Sequence, residues 1–337
     1  MIIDGAEAFC VRPATLDDVA DVVALTNACT LRQEGVALAS EQTERALWQR
    51  PGFDLANDTL LVHTPDGVLV GYGGISTVAP HVFYWAWGRV SPDCRSQGIG
   101  ARLLRWSERR ARQSLPLAPP GTRVVLRREC FAGDGAAARL LAGHGYTAIR
   151  HSWHMVIDLH DDLPAPQWPE GITVRAYVPG QDDRAVFRAD GEAFQDHFGY
   201  VARPEDVAFA RFIHWRDSLR NFDPGLWLLA VTGSGADEEI VGVALSEPPQ
   251  RDPATVYIAS FGVRRPWRRR GVGQALLRAS FLAFRQRGWA RAWLHVDASN
   301  LTGATRLYEK VGMRVARAYQ MYEKELRPGE DITNTGT

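Results

Sequence analysis

Hydrophobic positions along the chain switch between two periods, and they do so twice in the same order. Near the start, CVRPATLDDVADVVALTNA reads as a short apolar strand whose Val11-Arg12 pair leads into helical spacing; ITVRAYVPGQDDRAVFRADGEAF repeats this at Val174-Arg175. A strand pair containing Val-Gly follows each, LLVHTPDGVLVGYGGIS and LWLLAVTGSGADEEIVGVALS, with Pro-Asp-Gly and Gly-Ser-Gly as hairpin turns. A further strand (FYWAWGRV; VYIASFGV) runs into RSQGIGARLLR and RRRGVGQALLR, where Arg, Gly, Gly, Leu, Leu and Arg recur in place. The match resumes at RLLAGHGY and RLYEKVGM. A repeat this long signals duplicated domains and not a solenoid. Each copy predicts strand, one or two helices, a three-stranded antiparallel meander, helix, strand, helix, strand. The fold class is α/β, with a mixed, mostly antiparallel sheet flanked by helices in each of two tandem domains.

Between the copies, HDDLPAPQWPEG carries three prolines and three acids and reads as an interdomain linker. The expected division is 1–160, a linker at 161–171, 172–327, and a disordered tail at 328–337, where RPGEDITNTGT has no apolar periodicity. A length of 337 residues suits two domains, and 45% hydrophobic with 23% charged residues is ordinary for a globular protein. Lys+Arg and Asp+Glu are equal at 39 each, which excludes a polybasic or histone-like role. No apolar run approaches a membrane span, and Asp4 and Glu7 stand where a signal peptide would be positive and then apolar, so a cytoplasmic location is expected. Cys10, Cys29, Cys94 and Cys130 form no close pairs of the zinc or redox kind and read as reduced structural thiols, with no metal.

The chemistry is expected where a strand meets a helix. In SFGVRRPWRRRGVGQALLRASFLAF, Arg268, Gly271 and Gly273 lie between a β-branched, aromatic strand and an amphipathic helix; the first copy repeats this with Arg95, Gly98 and Gly100. A helix starting at a glycine loop aims unpaired N–H groups and the positive end of its dipole at one spot, which suits a phosphate. By itself such a loop is equally a tight turn packing a helix on a sheet. Neither the Walker phosphate motif nor the dinucleotide glycine spacing is present. The run Arg264, Arg265, Arg268, Arg269, Arg270 reads alternatively as a nucleic-acid patch, but its local placement beside the glycines of a neutral protein favours a small polyphosphate.

These residues carry a resemblance. V-x-x-x-x-R-x-x-G-x-G before an amphipathic helix, then a strand ending at Asn300 and a helix with Leu307-Tyr308-Glu309-Lys310-Val311-Gly312-Met313, resembles the GNAT superfamily of acetyl-CoA-dependent N-acetyltransferases. It covers about 9–159 and again about 172–326, and the tandem layout more loosely resembles the two-domain enzymes of the mycothiol synthase type. The resemblance implies splayed sheets and a coenzyme A pyrophosphate held on the main chain of Arg268, Arg269, Arg270, Gly271, Val272 and Gly273. It also implies that Phe261 and Val263 border the pantetheine arm, that Asn300 lies near that arm, and that Tyr308 protonates the departing thiolate. Arg95, Gly98 and Gly100 are the matching coenzyme loop of the first copy. Aligning Gly145 with Gly312 puts Leu141 opposite Tyr308 and Gly133 opposite Asn300, so the first domain is expected to be catalytically degenerate and the second catalytic. Tyr308 reads otherwise as a half-buried aromatic, and Asn300 as a helix cap.

The implied activity is direct transfer of an acetyl group from acetyl-CoA to a primary amine of a small molecule in a ternary complex. The alternative is a catalytically silent acyl-CoA-binding or regulatory protein. The general base stays open: the family's glutamate position falls near Tyr257, in a strand without an acid. Glu247, Asp196, His197 and His295 are candidates elsewhere. FQDHFGY and the segment after it, with Asp196, His197, Phe198, Tyr200 and Asp206, are expected to meet the acceptor, the acids favouring a cationic amine. No nucleic-acid or membrane partner is expected, and the chain is expected to be a monomer or homodimer.

Overall fold

A computed structural model of the chain describes residues 9–250, 252–299 and 303–334. The first copy forms β1 (Cys10–Arg12), α1 (Val19–Glu34), α2 (Glu41–Trp48), α3 (Leu55–Asp58), β2 (Thr59–His63), β3 (Leu69–Ser76), β4 (Phe83–Val90), α4 (Ile99–Gln113), β5 (Val124–Phe131), α5 (Gly135–Gly143) and β6 (Thr147–Asp158). The second forms β7 (Ile172–Ala176), α6 (Asp183–Ala193), α7 (Glu205–Ser218), β8 (Trp227–Thr232), β9 (Glu239–Glu247), β10 (Thr255–Val263), α8 (Val272–Gln286), β11 (Arg291–Asp297), α9 (Ala304–Lys310) and β12 (Arg314–Arg327). The expected mixed α/β architecture, tandem and mostly antiparallel, is what the chain adopts. The apolar spacing explains the helices: α4 buries Ile99, Leu103, Leu104, Ser107 and Ala111, one stripe of a 3.6-residue period. β9 is buried on both faces from Ile240 to Ser246 because it lies between β8 and β10.

Contacts divide the chain into two units, 1–151 with 318–332 and 152–317 with 333–337. In the first unit the strands run β1-β2-β3-β4-β5, then the part of β12 from Ala318. In the second they run β7-β8-β9-β10-β11, then the part of β6 from Ser152. Each unit thus takes its last strand from the end of the other copy. The boundaries read from the sequence follow the chain, whereas the pairing crosses them, because an apolar alternation fixes a strand's face and not which of two similar sheets it joins. The expected linker packs on the second unit, with Leu163 and Trp168 against its apolar clusters. In the expected tail, Glu330 bonds Arg123 and Gly121 through its main chain (2.8 and 2.9 Å), and Asn334 bonds Gly199 and Tyr200 (2.7 and 2.8 Å). Residues 335–337 lie outside the described residues.

The repeated Val-Arg pair has one structural cause in both units. Arg12 forks onto Asp18 at 2.7 and 2.5 Å, and Arg175 onto Asp182 at 2.6 and 2.9 Å, so the first strand is clamped to the start of the helix that follows it. The Arg12 hydrogen bonds hold the Asp18 carboxyl well below the usual carboxylate range. A carboxyl depressed in the folded state stabilises above its unfolded value, about 3.9, and that stability is lost as pH falls toward the folded one. Asp18→Asn is therefore expected to cost about 1 kcal/mol at neutral pH, the upper end for a partly exposed pair. Urea unfolding at pH 7 and pH 3 checks this: the gap between parent and variant should shrink at pH 3.

Candidate functional site

The two glycine loops have the same backbone. Arg268 and Arg95 both sit at φ −68°, ψ 157°. Arg269 (φ 60°) and Gly271 (φ 90°) alternate into the left-handed region, as do Ser96 (φ 64°) and Gly98 (φ 81°). The first main-chain bonds after these turns are Ala275 N–H to Gly271 O and Arg102 N–H to Gly98 O, each 3.0 Å. The earlier N–H groups of each helix therefore have no intrahelical acceptor and, with the helix dipole, form an anion cradle. Val272 is buried beneath the loop. Gly273 is needed for close packing, since a Cβ there would lie 3.1 Å from Leu307 and 3.5 Å from Phe261 and Val263. Gly100 is tighter still, 2.8 Å from Leu140.

The arginine side chains do different work. Arg268 donates through Nε to Val263 O and through Nη2 to Ala193 O, both 2.9 Å, and pairs with Asp196. It staples the loop to the end of β10 and the end of α6. Asp196, expected at the acceptor, has its carboxylate committed to Arg268 and, at 3.3 Å, to Arg265. Arg269 and Arg270 are exposed, and Arg270 lies over the Trp267 ring at 5.0 Å.

Beside the loop the sheet opens. β10 pairs in parallel with β11 only from Thr255 to Ile258, while its antiparallel ladder with β9 continues to Val263 opposite Gly242. Between Ile258 and Ser260 the register to β9 shifts by one, so Ala259 is bulged. In the first unit β4 likewise leaves β5 after Trp85, but its ladder with β3 has no bulge. Past the bulge, Phe261 faces the α8 and α9 side, its ring 6.0 Å from that of Tyr308 at 62°. Tyr308 is buried, and burial pushes its phenol well up, so it stays a protonated O–H donor at neutral pH. Leu141 is buried in the first unit, and a Cβ on Gly133 would lie 2.6 Å from the Phe131 ring. Asn300 lies outside the described residues.

On the other face, Tyr257 stands opposite Glu247 in register. Tyr257 stacks on Trp293 at 4.1 Å, and Glu247 accepts from Trp215 Nε1 at 2.7 Å. His295 stands opposite His154 on β6, their rings 5.1 Å apart. The His197 ring rests 4.4 Å from Phe194, and burial lowers its affinity for a proton. Tyr200 is held by its main chain against Asn334. One acid escaped the sequence reading: Asp190, on α6, accepts a hydrogen bond from Ser260, and burial pushes its carboxyl up to about 6. The signal was available, an acid four residues after buried Val186 and next to buried Ala189.

The first unit holds a cavity of about 430 Å³ at its own loop, lined by Arg95, Gly98, Gly100, Cys29, Phe131 and Leu141 among others. Tyr319 also lines it and donates its hydroxyl to Glu34. Its four cysteines are free, and Cys29 donates to Val90 O at 3.1 Å. Among the described residues no cluster of three or more His, Cys, Asp or Glu is arranged to hold a metal, and no helix is long and apolar enough to cross a membrane.

A splayed strand pair, a glycine loop opening a helix and a buried phenol beside the splay define an acyl-CoA-dependent transferase. The chain belongs to the acetyltransferase (GNAT) family, whose pattern it matches over residues 25–146 and again over 188–313. It is 32% identical over 314 residues to a mycothiol acetyltransferase of Thermobispora bispora, covering 92% of this chain and 97% of that one. It is also 32% identical over 273 residues to a mycothiol acetyltransferase of Salinispora arenicola, covering 79% and 81%. Among solved structures, a GCN5-related N-acetyltransferase from Sphaerobacter thermophilus superposes with a TM-score of 0.78 at 36% identity over 96% of this chain and 97% of that one. A tandem GNAT protein from the clavulanic acid biosynthesis pathway shares the fold, with a TM-score of 0.71 at 17% identity over 96% and 100%. The chain is an acyltransferase of a family that uses acetyl-CoA.

Gly271→Glu puts a Cβ at a left-handed position and a carboxylate in the anion cradle. The backbone strain alone is about 1–3 kcal/mol, and calorimetry should find CoA binding weakened by at least about tenfold.

Proposed function

We propose that the chain transfers the acetyl group of acetyl-CoA to a primary amine of a small molecule, directly and in the second unit. The observation that carries this is the buried Tyr308 beside Phe261, at the edge of a bulged, splayed strand, where the first unit has Leu141. When bound, acetyl-CoA supplies the acetyl group and a thiol leaving group. The N–H groups at the start of α8 hold the pyrophosphate, and the main chain of β10 from Ala259 to Val263, which β11 does not pair, receives the pantetheine arm. The fit of this reading rests on the open cradle at Gly271 and the close approach that Gly273 allows. Tyr308 gives a proton to the departing sulfur; its raised affinity for that proton keeps the donor loaded. Glu247, Tyr257, His197 and Tyr200 border the acceptor, and Asp196 acts through the loop instead, by fixing Arg268.

The cavity of the first unit supports a coenzyme-sized ligand there as well, held at Arg95, Gly98 and Gly100 without a phenol in the acid position. The relatives named for mycothiol make an amino-sugar thiol the first acceptor to test, followed by polyamines, aminoglycosides and amino acids. Thiol release from acetyl-CoA reports turnover. Tyr308→Phe is expected to keep CoA affinity and lower kcat by about 10²-fold. Gly271→Glu should abolish thiol release and Gly98→Glu should leave most of it, in variants whose folding is verified by circular dichroism; equal loss from both would move the chemistry out of the second unit alone.

A further inference from the structure

The acid of this reaction is placed by the preceding reading; a group that takes the proton from the amine is not. Glu247 and Tyr257, at or near the expected position, are tied to Trp215 and stacked on Trp293. The bulge at Ala259 sets up a different candidate. Side chains alternate along a strand, so Phe261 and Ser260 leave β10 on opposite faces at one level. Phe261 points to Tyr308. Gly262, two residues after Ser260 and on its face, is so close to α6 that a Cβ there would lie 2.6 Å from Ala193. Ser260 accordingly points to α6, where its hydroxyl donates to Asp190.

We infer that Ser260 and Asp190 together take the proton from the acceptor amine, on the face of β10 opposite the acid. The inference rests on the reading that the second unit binds acetyl-CoA in the splay past Ile258. The amine nitrogen forms its bond to the acetyl carbon, and the carbon–sulfur bond breaks with its electron pair passing to sulfur. The proton leaving nitrogen goes to Ser260 Oγ as the proton of Ser260 goes to Asp190 Oδ1, and the sulfur takes the proton of Tyr308. Ser260 is the catalytic residue that touches the amine; Asp190 is its positioning partner and final proton acceptor.

Several charged groups near Asp190 are engaged with one another. On α6, Asp183 pairs with Arg216 of α7, Arg188 with Glu205 of α7, and Glu192 with Arg264. On β9, Glu239 also holds Arg264. Beyond α6, Asp196 holds Arg268. Among the described residues Asp190 accepts a hydrogen bond from the Ser260 hydroxyl, and burial pushes its carboxyl up to about 6. That value leaves it ionised at pH 7 while making it a stronger base than an exposed aspartate.

The test uses the full chain, acetyl-CoA and the amine that the parent chain acetylates fastest in the acceptor screen. Expected is a pH profile of kcat/KM with an acid limb near pH 6, below which Asp190 is protonated and activity falls. Asp190→Asn, which keeps the shape, should lose that limb and about 10²-fold in kcat/KM, with CoA affinity within twofold of the parent. Asp190→Glu should recover part of the rate with the limb displaced, and Ser260→Ala should lose rate with CoA affinity kept. An Asp190→Asn chain with parental kcat/KM and the same acid limb overturns the inference. So does loss of rate in step with loss of thermal stability and CoA affinity, which marks a packing role. CoA binding by the parent chain, measured by calorimetry, separates the two levels: its absence overturns the functional reading and this inference with it, whereas its presence with an unaffected Asp190→Asn chain overturns this inference alone.

Discussion

One residue in excess shapes the site of the second unit. Ala259 has no partner of its own across the ladder to β9, and the parallel ladder to β11 ends at Ile258, one residue earlier. The insertion keeps Val256 and Ile258, before it, and Phe261 and Val263, after it, on the face that meets α8. Tyr257 before it, and Ser260 and Gly262 after it, share the other. Without the bulge, alternation would carry Phe261 to the α6 face and Ser260 toward Tyr308. The same local break leaves one edge of β10 free of β11, so the opening in the sheet and the sorting of side chains around it have one cause.

Duplication preserved backbone geometry more closely than chemistry. Both loops alternate into the left-handed region at matching positions, both helices begin their bonding at the second turn residue, and both first strands are clamped by an arginine to an aspartate at the next helix. These features need glycine, or a fork of donors, at fixed spacing, so they persist as visible sequence. The differences lie in side chains at the splay. The first unit has a straight β4, Leu141 for the phenol and a cavity whose polar wall includes Tyr319 and Glu34.

What was legible in the sequence follows from which interactions are local. Period-two and period-3.6 apolar patterns, hairpin turns and the glycine loops each declare themselves within a dozen residues, and the element order and three-stranded meander of each copy followed from them. Long-range pairings do not. Asp196 read as a free acid near an aromatic segment, but an arginine 72 residues later in the chain holds it. Asp190 drew no attention in the sequence, because its contact with Ser260 lies 70 residues away in the chain, past a bulge that leaves no local mark. A bulge has no composition of its own here: IAS in the second strand differs from its counterpart in no way that counts residues against a neighbouring strand.

Each crossed terminal strand brings charges that meet partners on the sheet it joins. β12 lies against β5 with Glu323 directly opposite Arg127, and both are buried. Glu323 accepts from Arg127 at 2.8 Å and from Arg123 at 2.6 Å, while Lys324 reaches Glu108 at 2.8 Å. In the second unit, Asp158 of β6 stands opposite Arg291 of β11 and meets it at 3.2 Å, with Arg314 at 2.8 Å. A buried pair of this kind adds little net stability, since desolvation offsets most of the attraction, but a strand that brought an apolar residue opposite Arg127 would take a carboxylate partner from a buried cation. Removing Glu323 from Arg127 would cost about 3–5 kcal/mol, the penalty for a buried charge stripped of a partner. The charges that meet across these strands are ones that local patterning treats as surface residues. The same crossing brings Tyr319 to the cavity of the first unit, so the wall of that cavity is built partly from the last strand of the chain.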